Sequence, residues 1–181
     1  MMNSTISLLP AALAMLGLAS AAHAQSGTIT FNGEVTSVTC EISFNGVIGN
    51  DPSIRLPTVP ASALPEGASA GRTELHVHIQ GADPVCSNGG ITLQLDPRRA
   101  ARLQNGRLAN QALTVRATNA VVGLRDADDK PIDLGLGWIS PPAPGTGDGT
   151  DIFFYAEYYA DGGDAIPGVF QAPLQYTLMY P

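Results

Sequence analysis

Short segments that alternate apolar and polar residues recur along the chain, separated by Gly, Pro and Asn. In chain order they read TITFNGEVTSV, CEISFNGV, TELHVHIQG, GITLQLD, ALTVRATNAVVGLRD, KPIDLG, DIFFYAEYYA and GVFQAPLQYTLMY. A repeat of two residues is typical of strands with one buried face. Residues 97–111 are expected to form at most a turn or two of helix, because Gly106 and two Asn interrupt the pattern there. The sequence therefore predicts an all-β fold.

The first 24 residues have the features of a secretory signal peptide. An apolar stretch covers residues 8–18, and small residues follow it as far as Ala22-His23-Ala24, which has the A-x-A form of a cleavage site. The apolar stretch is too short to span a bilayer as a helix. We therefore expect cleavage after Ala24 and export to an oxidising compartment.

Length and charge narrow the class of protein. Without the first 24 of its 181 residues the chain keeps 157, enough for one domain with a core and too few for two of ordinary size. Its 9 Lys and Arg against 16 Asp and Glu give a net charge of −7, and no extended basic cluster is present. Nucleic acid is therefore not an expected partner.

Two cysteines, Cys40 and Cys86, follow the export signal. An even number of cysteines in an exported protein usually means disulfides, and two cysteines allow one pairing. Closing a loop of this length constrains the unfolded chain by about 4 kcal/mol in the entropy model. Short strands, frequent turns and one disulfide together predict a β-sandwich of immunoglobulin-like type.

Two segments show the most regular alternation, one near the start of the exported chain and one at its end. The first places a bare or apolar face at Gly27, Ile29, Phe31 and Gly33. The second places apolar side chains at Leu174, Tyr176, Leu178 and Tyr180. A strand like the first needs a groove for Ile29 and Phe31, each worth about 1.5–3 kcal/mol when fully buried. It covers either the chain's own core or the core of another molecule.

Four stretches carry a resemblance to a known family: SGTITFNGEVTSVTCEISFNG, HVHIQGADPVCSNGG, NAVVGLRDADDKPIDLG and IFFYAEYYADGGDAIPGVFQAPLQYTLMY. They resemble type 1 fimbrial subunits, the pilins of the chaperone–usher pathway, over nearly the whole exported chain. The most specific part is the ending, where such subunits have a penultimate Tyr and a Gly fourteen positions from the C-terminus. Here these residues are Tyr180 and Gly168.

The resemblance implies an incomplete immunoglobulin-like sandwich that lacks its last strand and is completed in trans by donor-strand complementation. Residues 25–38 would be the N-terminal donor-strand extension and residues 39–181 the pilin domain. The donor face would be Gly27, Ile29, Phe31 and Gly33. The groove edge, which a chaperone also reads, would be Gly168, Phe170, Leu174, Tyr176, Leu178 and Tyr180.

The same resemblance implies the partners and the location. The expected partners are a periplasmic fimbrial chaperone, an outer-membrane usher and neighbouring pilin subunits in a head-to-tail polymer. The chain would pass through the periplasm to a surface fimbria and act there as a structural subunit that supports cell adhesion. It implies no cofactor.

Two other functions remain open at this stage. A minor or tip subunit would bind a surface glycan through the loop expected at residues 140–151, or through Tyr155, Tyr158 and Tyr159, although alternating aromatic residues are more often half core and half sheet surface. A self-complete secreted sandwich would hold a metal with His76 and His78, but the sequence indicates no third ligand. No catalytic set of residues is recognisable, so an enzyme is not expected.

Overall fold

The computed structural model describes residues 40–96 and 101–181. The expected export signal (1–24) and donor extension (25–38) lie outside the described residues. The strands are β1 (Glu41–Phe44), β2 (Val47–Ile48), β3 (Ser69–Gln80), β4 (Thr92–Asp96), β5 (Leu103–Gln104), β6 (Arg107–Ala109), β7 (Ala120–Asp126), β8 (Pro131–Ile132), β9 (Trp138–Ile139), β10 (Thr150–Ala160) and β11 (Gln175–Met179). Short 3-10 turns lie at Ala61–Ala63, Pro84–Cys86 and Leu134–Leu136. Within these residues no helix has the length and apolar character needed to cross a membrane.

The described strands form two antiparallel sheets. The larger sheet has the order β2-β1-β3-β10-β7-β6-β5, with β8 also paired to β7. The smaller sheet has the order β11-β4-β9. The prediction of an all-β sandwich is confirmed.

One apolar core lies between the sheets. On β3, Leu75, Val77 and Ile79 point inward and are almost fully buried, while the residues between them face the opposite side. Leu93 and Leu95 of β4 meet them from the smaller sheet and are 0% and 3% exposed. The inward residues of both sheets belong to a single cluster.

A disulfide joins the beginning of β1 to the turn that follows β3. Cys40 and Cys86 are separated by 46 residues, and their Cα atoms lie 5.7 Å apart. Cys86 is fully buried, and its carbonyl accepts a hydrogen bond of 3.0 Å from the hydroxyl of Thr150 on β10. The expected disulfide is therefore present, and it holds the first strand against the centre of the larger sheet.

The structure corrects the expectation of a helical turn in the part of residues 97–111 that it describes. β5 and β6 form a hairpin there, with Gln104 paired to Arg107. Asn105 and Gly106, the two residues of the turn, have φ values of 47° and 75°. An Asn-Gly pair favours this left-handed turn conformation, so the residues taken as helix breakers are the hairpin signal.

Three other boundaries also differ from the sequence-based expectation. Residues 112–119 are a loop, and the regular strand begins at Ala120. The last strand begins at Gln175 instead of Gly168. The loop expected at 140–151 is not exposed throughout: Ser140 is buried and accepts a 2.9 Å hydrogen bond from the backbone of Leu93, and the end of the segment already belongs to β10.

The disulfide should contribute a measurable part of the free energy of unfolding. Replacing both Cys40 and Cys86 with Ala should lower the free energy of unfolding by about 4 kcal/mol, because the unfolded chain regains the entropy of an open 46-residue loop. Urea unfolding of the purified protein checks this value. Ser87→Ala is the control, since it alters a neighbouring residue and leaves the loop closed. Equal midpoints for the double variant and the control would contradict the prediction.

Candidate functional site

A long open groove of about 1200 Å³ runs beside the last strand. Its floor consists of apolar side chains from both sheets. They are Leu75, Leu93, Leu95, Leu108, Val122, Leu124, Phe154 and Ala156. All of these side chains belong to the apolar core between the sheets. The groove is therefore a place where the core itself is reached from outside.

Two stretches of chain form the walls of the groove. One wall is the inner face of β1 with residues 50–56, and the other is residues 170–180. β11 pairs with β4 along one edge. Among the described strands none pairs with its other edge. The backbone N–H and C=O groups along that edge are available to an added strand.

The side chains of residues 170–180 show how incomplete the cover is. Burial alternates with a period of two, and the residues on the inward side are Phe170, Ala172, Leu174, Tyr176, Leu178 and Tyr180. Each of these is only partly buried, although all pack against the core. Leu178 lies opposite Leu93 in the register, and Leu93 is 0% exposed. The row is thus covered by β4 on one side and borders the open groove on the other.

The structure places Gly168 differently from the other expected groove residues. It is not among the residues that line the groove. A side chain at this position would collide with the backbone of Val115, Arg116 and Ala117. The adjacent Val169 exchanges hydrogen bonds with this backbone, donating to the Val115 carbonyl at 2.7 Å and accepting from the Ala117 amide at 3.0 Å. Gly168 therefore allows the close approach that anchors the beginning of the groove wall.

Tyr176 connects the two walls. Its ring meets Phe44 of β1 edge-on at 5.0 Å between ring centres, and its hydroxyl donates a 2.8 Å hydrogen bond to the carbonyl of Asn50. Burial raises the pKa of Tyr176, and also those of Tyr158 and Tyr180 on the same groove lining. These phenols therefore stay neutral at physiological pH, and the groove carries no tyrosinate charge.

Sequence reasoning missed the wall opposite the last strand. Ile42 and Phe44 of β1 line it, followed by Ile54 and Leu56. The alternation in CEISF and SIRL was a usable signal for two apolar faces. It does not indicate that these faces lie across a gap from residues 170–180, because that arrangement depends on the packing of the two sheets.

The three tyrosines considered as a sugar platform do not share one surface. Tyr158 faces the groove and packs edge-on against Phe170, with ring centres 5.7 Å apart. The rings of Tyr155 and Tyr159 are each covered by an arginine guanidinium, from Arg72 and Arg107 respectively, at 4.0 Å. Because these faces are occupied by cations, they do not form a stacking surface for a sugar.

The two histidines have a third potential ligand that the sequence did not indicate. Asp151 of β10 lies directly across from His78 of β3, and its carboxylate contacts both His76 and His78. This contact raises the pKa of the His78 imidazole. The sequence showed no third ligand beside the two histidines, and the structure supplies a candidate in Asp151.

The structure is an immunoglobulin-like sandwich with an apolar groove left open along its last strand. The expected donor residues Gly27, Ile29, Phe31 and Gly33 lie outside the described residues, so their part remains a prediction.

Comparison with known proteins gives this architecture a family. No protein-family model matches the chain. The major fimbrial subunit SMF-1 of Stenotrophomonas maltophilia is 36% identical over 171 residues, covering 88% of this chain and 95% of that protein. The F17 fimbrial protein of Escherichia coli is 30% identical over 168 residues, covering 89% of this chain and 91% of that protein. The chain belongs to the family of fimbrial subunits, the structural proteins of pili.

A solved structure agrees with this assignment at the level of the fold. The crystal structure of the P pilus rod subunit PapA superposes with a TM-score of 0.56 at 18% identity. The match covers 86% of this chain and 100% of that chain. The fold is therefore that of a pilus subunit.

The open groove predicts a contrast between two paired leucines. Leu93→Ala in the isolated subunit should lower the free energy of unfolding by about 2–5 kcal/mol, because it leaves a cavity in a filled core. Leu178→Ala should cost less, about 1–2 kcal/mol, because this side chain is only partly buried and borders the open groove. Urea unfolding of both variants tests the contrast. Equal losses would mean that the groove is closed in solution.

Proposed function

We propose that this subunit polymerises by donor-strand complementation, in which an extended segment of the next subunit fills the groove beside β11. The observation that carries the proposal is the row of six inward side chains between Phe170 and Tyr180, which the subunit itself buries only in part. An added strand would pair with the free edge of β11 and cover this row at the same time. One added strand would therefore both satisfy the unpaired backbone groups and bury the exposed apolar surface.

Residues 25–38 are the proposed donor. The groove wall between Phe170 and Tyr180 is about 33 Å long at the rise of a β-strand, and a 14-residue extended segment can span it. The apolar face at Ile29 and Phe31 has the period of two that the groove requires. The bare positions Gly27 and Gly33 suit the close approach of another backbone.

The exposed groove also suggests that the subunit needs a chaperone in the periplasm. A free strand edge beside a strip of core is an aggregation hazard while the subunit waits to assemble. We infer that residues 1–24 direct export, that a periplasmic chaperone first covers the groove, and that an outer-membrane usher passes the subunit to the growing fibre. The role is structural and not enzymatic.

Head-to-tail contacts of this kind use two different surfaces, a groove on one subunit and a donor segment on the next. Such heterologous contacts produce an open filament unless the rotation between subunits closes a ring. A surface fimbria that supports adhesion is the expected product.

A peptide experiment tests the groove directly. The recipient is a shortened chain that begins at Thr39, and the ligand is a synthetic peptide of residues 25–38. Burial of Ile29 and Phe31 should drive binding, and peptide at about 100 times its Kd should stabilise the recipient by about 2.7 kcal/mol, or roughly 10 °C in melting temperature. Thermal unfolding with and without the peptide gives the value.

The control peptide carries Glu in place of Phe31 and should give little stabilisation. A recipient that is stable alone and indifferent to both peptides would contradict the proposal, since its fold would then be complete.

The full chain offers a matched pair of donor variants. Phe31→Glu should block the addition of the subunit to fibres, because a carboxylate would have to enter an apolar groove. Thr30→Glu places the same charge on the opposite, polar face and should leave assembly unchanged. Fibre yield by electron microscopy and by immunoblotting of sheared surface protein measures both. Normal fibres from the Phe31 variant would exclude this residue as a donor anchor.

A further inference from the structure

A compact group of metal-ligating side chains lies on the outer face of the larger sheet, away from the groove. His76 and His78 are two residues apart on β3, so their side chains leave the same face of the strand. Asp151 of β10 is the direct cross-strand partner of His78. The register between two long central strands therefore brings the three groups together.

The distances within the group are short. Nε2 of His76 lies 2.6 Å from Oδ1 of Asp151, and Nδ1 of His78 lies 2.7 Å from the same oxygen. One ligand atom from each residue lies within 4.8 Å of the other two. We propose that His76, His78 and Asp151 bind a divalent transition-metal ion, with zinc as the ion best matched to the ligands. This site goes beyond the proposed polymerisation, because none of its residues belongs to the groove.

The donor set suits such an ion. Zinc binds imidazole nitrogen at about 2.0–2.1 Å and carboxylate oxygen at about 2.0–2.2 Å, and sites with two His and one carboxylate are a recognised combination. Around a tetrahedral zinc these ligand atoms are about 3.3 Å apart, so the side chains must separate by about 0.6 Å from their hydrogen-bonded positions. The three side chains are 35%, 27% and 24% exposed, which leaves them free to make that movement and open to an ion from solvent.

Neighbouring groups already orient the ligands. Nε2 of His78 lies 3.3 Å from Oε1 of Gln80, and the Gln80 amide nitrogen donates a 2.6 Å hydrogen bond to Glu41. This arrangement directs the Gln80 oxygen at His78 and leaves Nδ1 of the ring for a metal, as outer partners of ligating histidines commonly do. The ring of His76 is stacked on Phe153 with 4.5 Å between ring centres and an angle of 11°.

The backbone next to the group leaves room for the His78 ring. Gly149 directly precedes β10, and a side chain there would collide with the ring of His78. The glycine therefore lets the imidazole lie close to the backbone at the beginning of the strand. Three protein ligands on an exposed face leave at least one coordination position for water or for a group from another molecule.

Zinc binding by assembled fibres of the full chain is the test. Fibres are stripped with a chelator, equilibrated with zinc chloride across a dialysis membrane, and analysed for zinc per subunit. We expect one zinc per subunit. His76→Gln and Asp151→Asn should each weaken the affinity at least tenfold.

Asp128→Asn is the control, because it removes one carboxylate of the same charge, in a more exposed position, at a turn remote in sequence from the three ligands. It should bind zinc like the unchanged chain. Equal binding by the unchanged chain and by Asp151→Asn, or an equal loss in Asp128→Asn, would overturn the proposal and leave the group as a cross-strand hydrogen-bond network.

A spectroscopic measurement decides the question if a variant does not assemble. Cobalt(II) added to unchanged fibres should give ligand-field absorption bands of a site with nitrogen and oxygen ligands and low coordination number. One equivalent of zinc per subunit should abolish these bands. The spectrum of hexa-aqua cobalt alone, unchanged by the fibres, would overturn the proposal.

Discussion

Burial of apolar surface between two sheets holds this sandwich together. The smaller sheet has too few strands to cover the whole core. β4 is covered on both sides, so Leu93 and Leu95 are almost fully buried. β11 is the next strand outward, and its inward residues are covered on one side only. The groove and the free backbone edge both follow from this one deficit in core burial.

Contacts elsewhere in the structure hold the walls of the open groove in place. The disulfide ties the start of β1, which forms the opposite wall, to the turn that follows the long strand β3. The Tyr176 hydroxyl connects that wall to the last strand across the gap. Hydrogen bonds between residues 169 and 115–117 hold the beginning of the terminal segment in place. The groove is therefore a formed recess with fixed walls.

Local patterns predicted much of the fold. The alternation in TELHVHIQG, GITLQLD and DIFFYAEYYA corresponds to β3, β4 and β10, and the terminal alternation corresponds to β11 and the wall around it. Features that depend on strand register were not accessible, because register is set by partners distant in the sequence. The approach of Asp151 to His78 and the position of Ile42 and Phe44 across the groove are two examples.

The hairpin at Asn105-Gly106 was missed for a different reason. Its signal is local, but the same two residues also count as helix breakers, and the surrounding residues have good helix propensity. The cross-strand pairing of β6 with β7 decides in favour of the strand. A turn motif therefore outweighed the average propensity of its flanks.

The partly exposed row beside β11 has a consequence for any linear array of subunits, because the number of grooves then differs from the number of filled grooves. If each groove is filled by the donor segment of one neighbour, a file of subunits has one fewer junction than it has grooves. One subunit at one end then keeps its recess open to water, and at the other end one donor segment has no acceptor. Every such fibre has two chemically different ends, and its least stable fold belongs to a single terminal subunit.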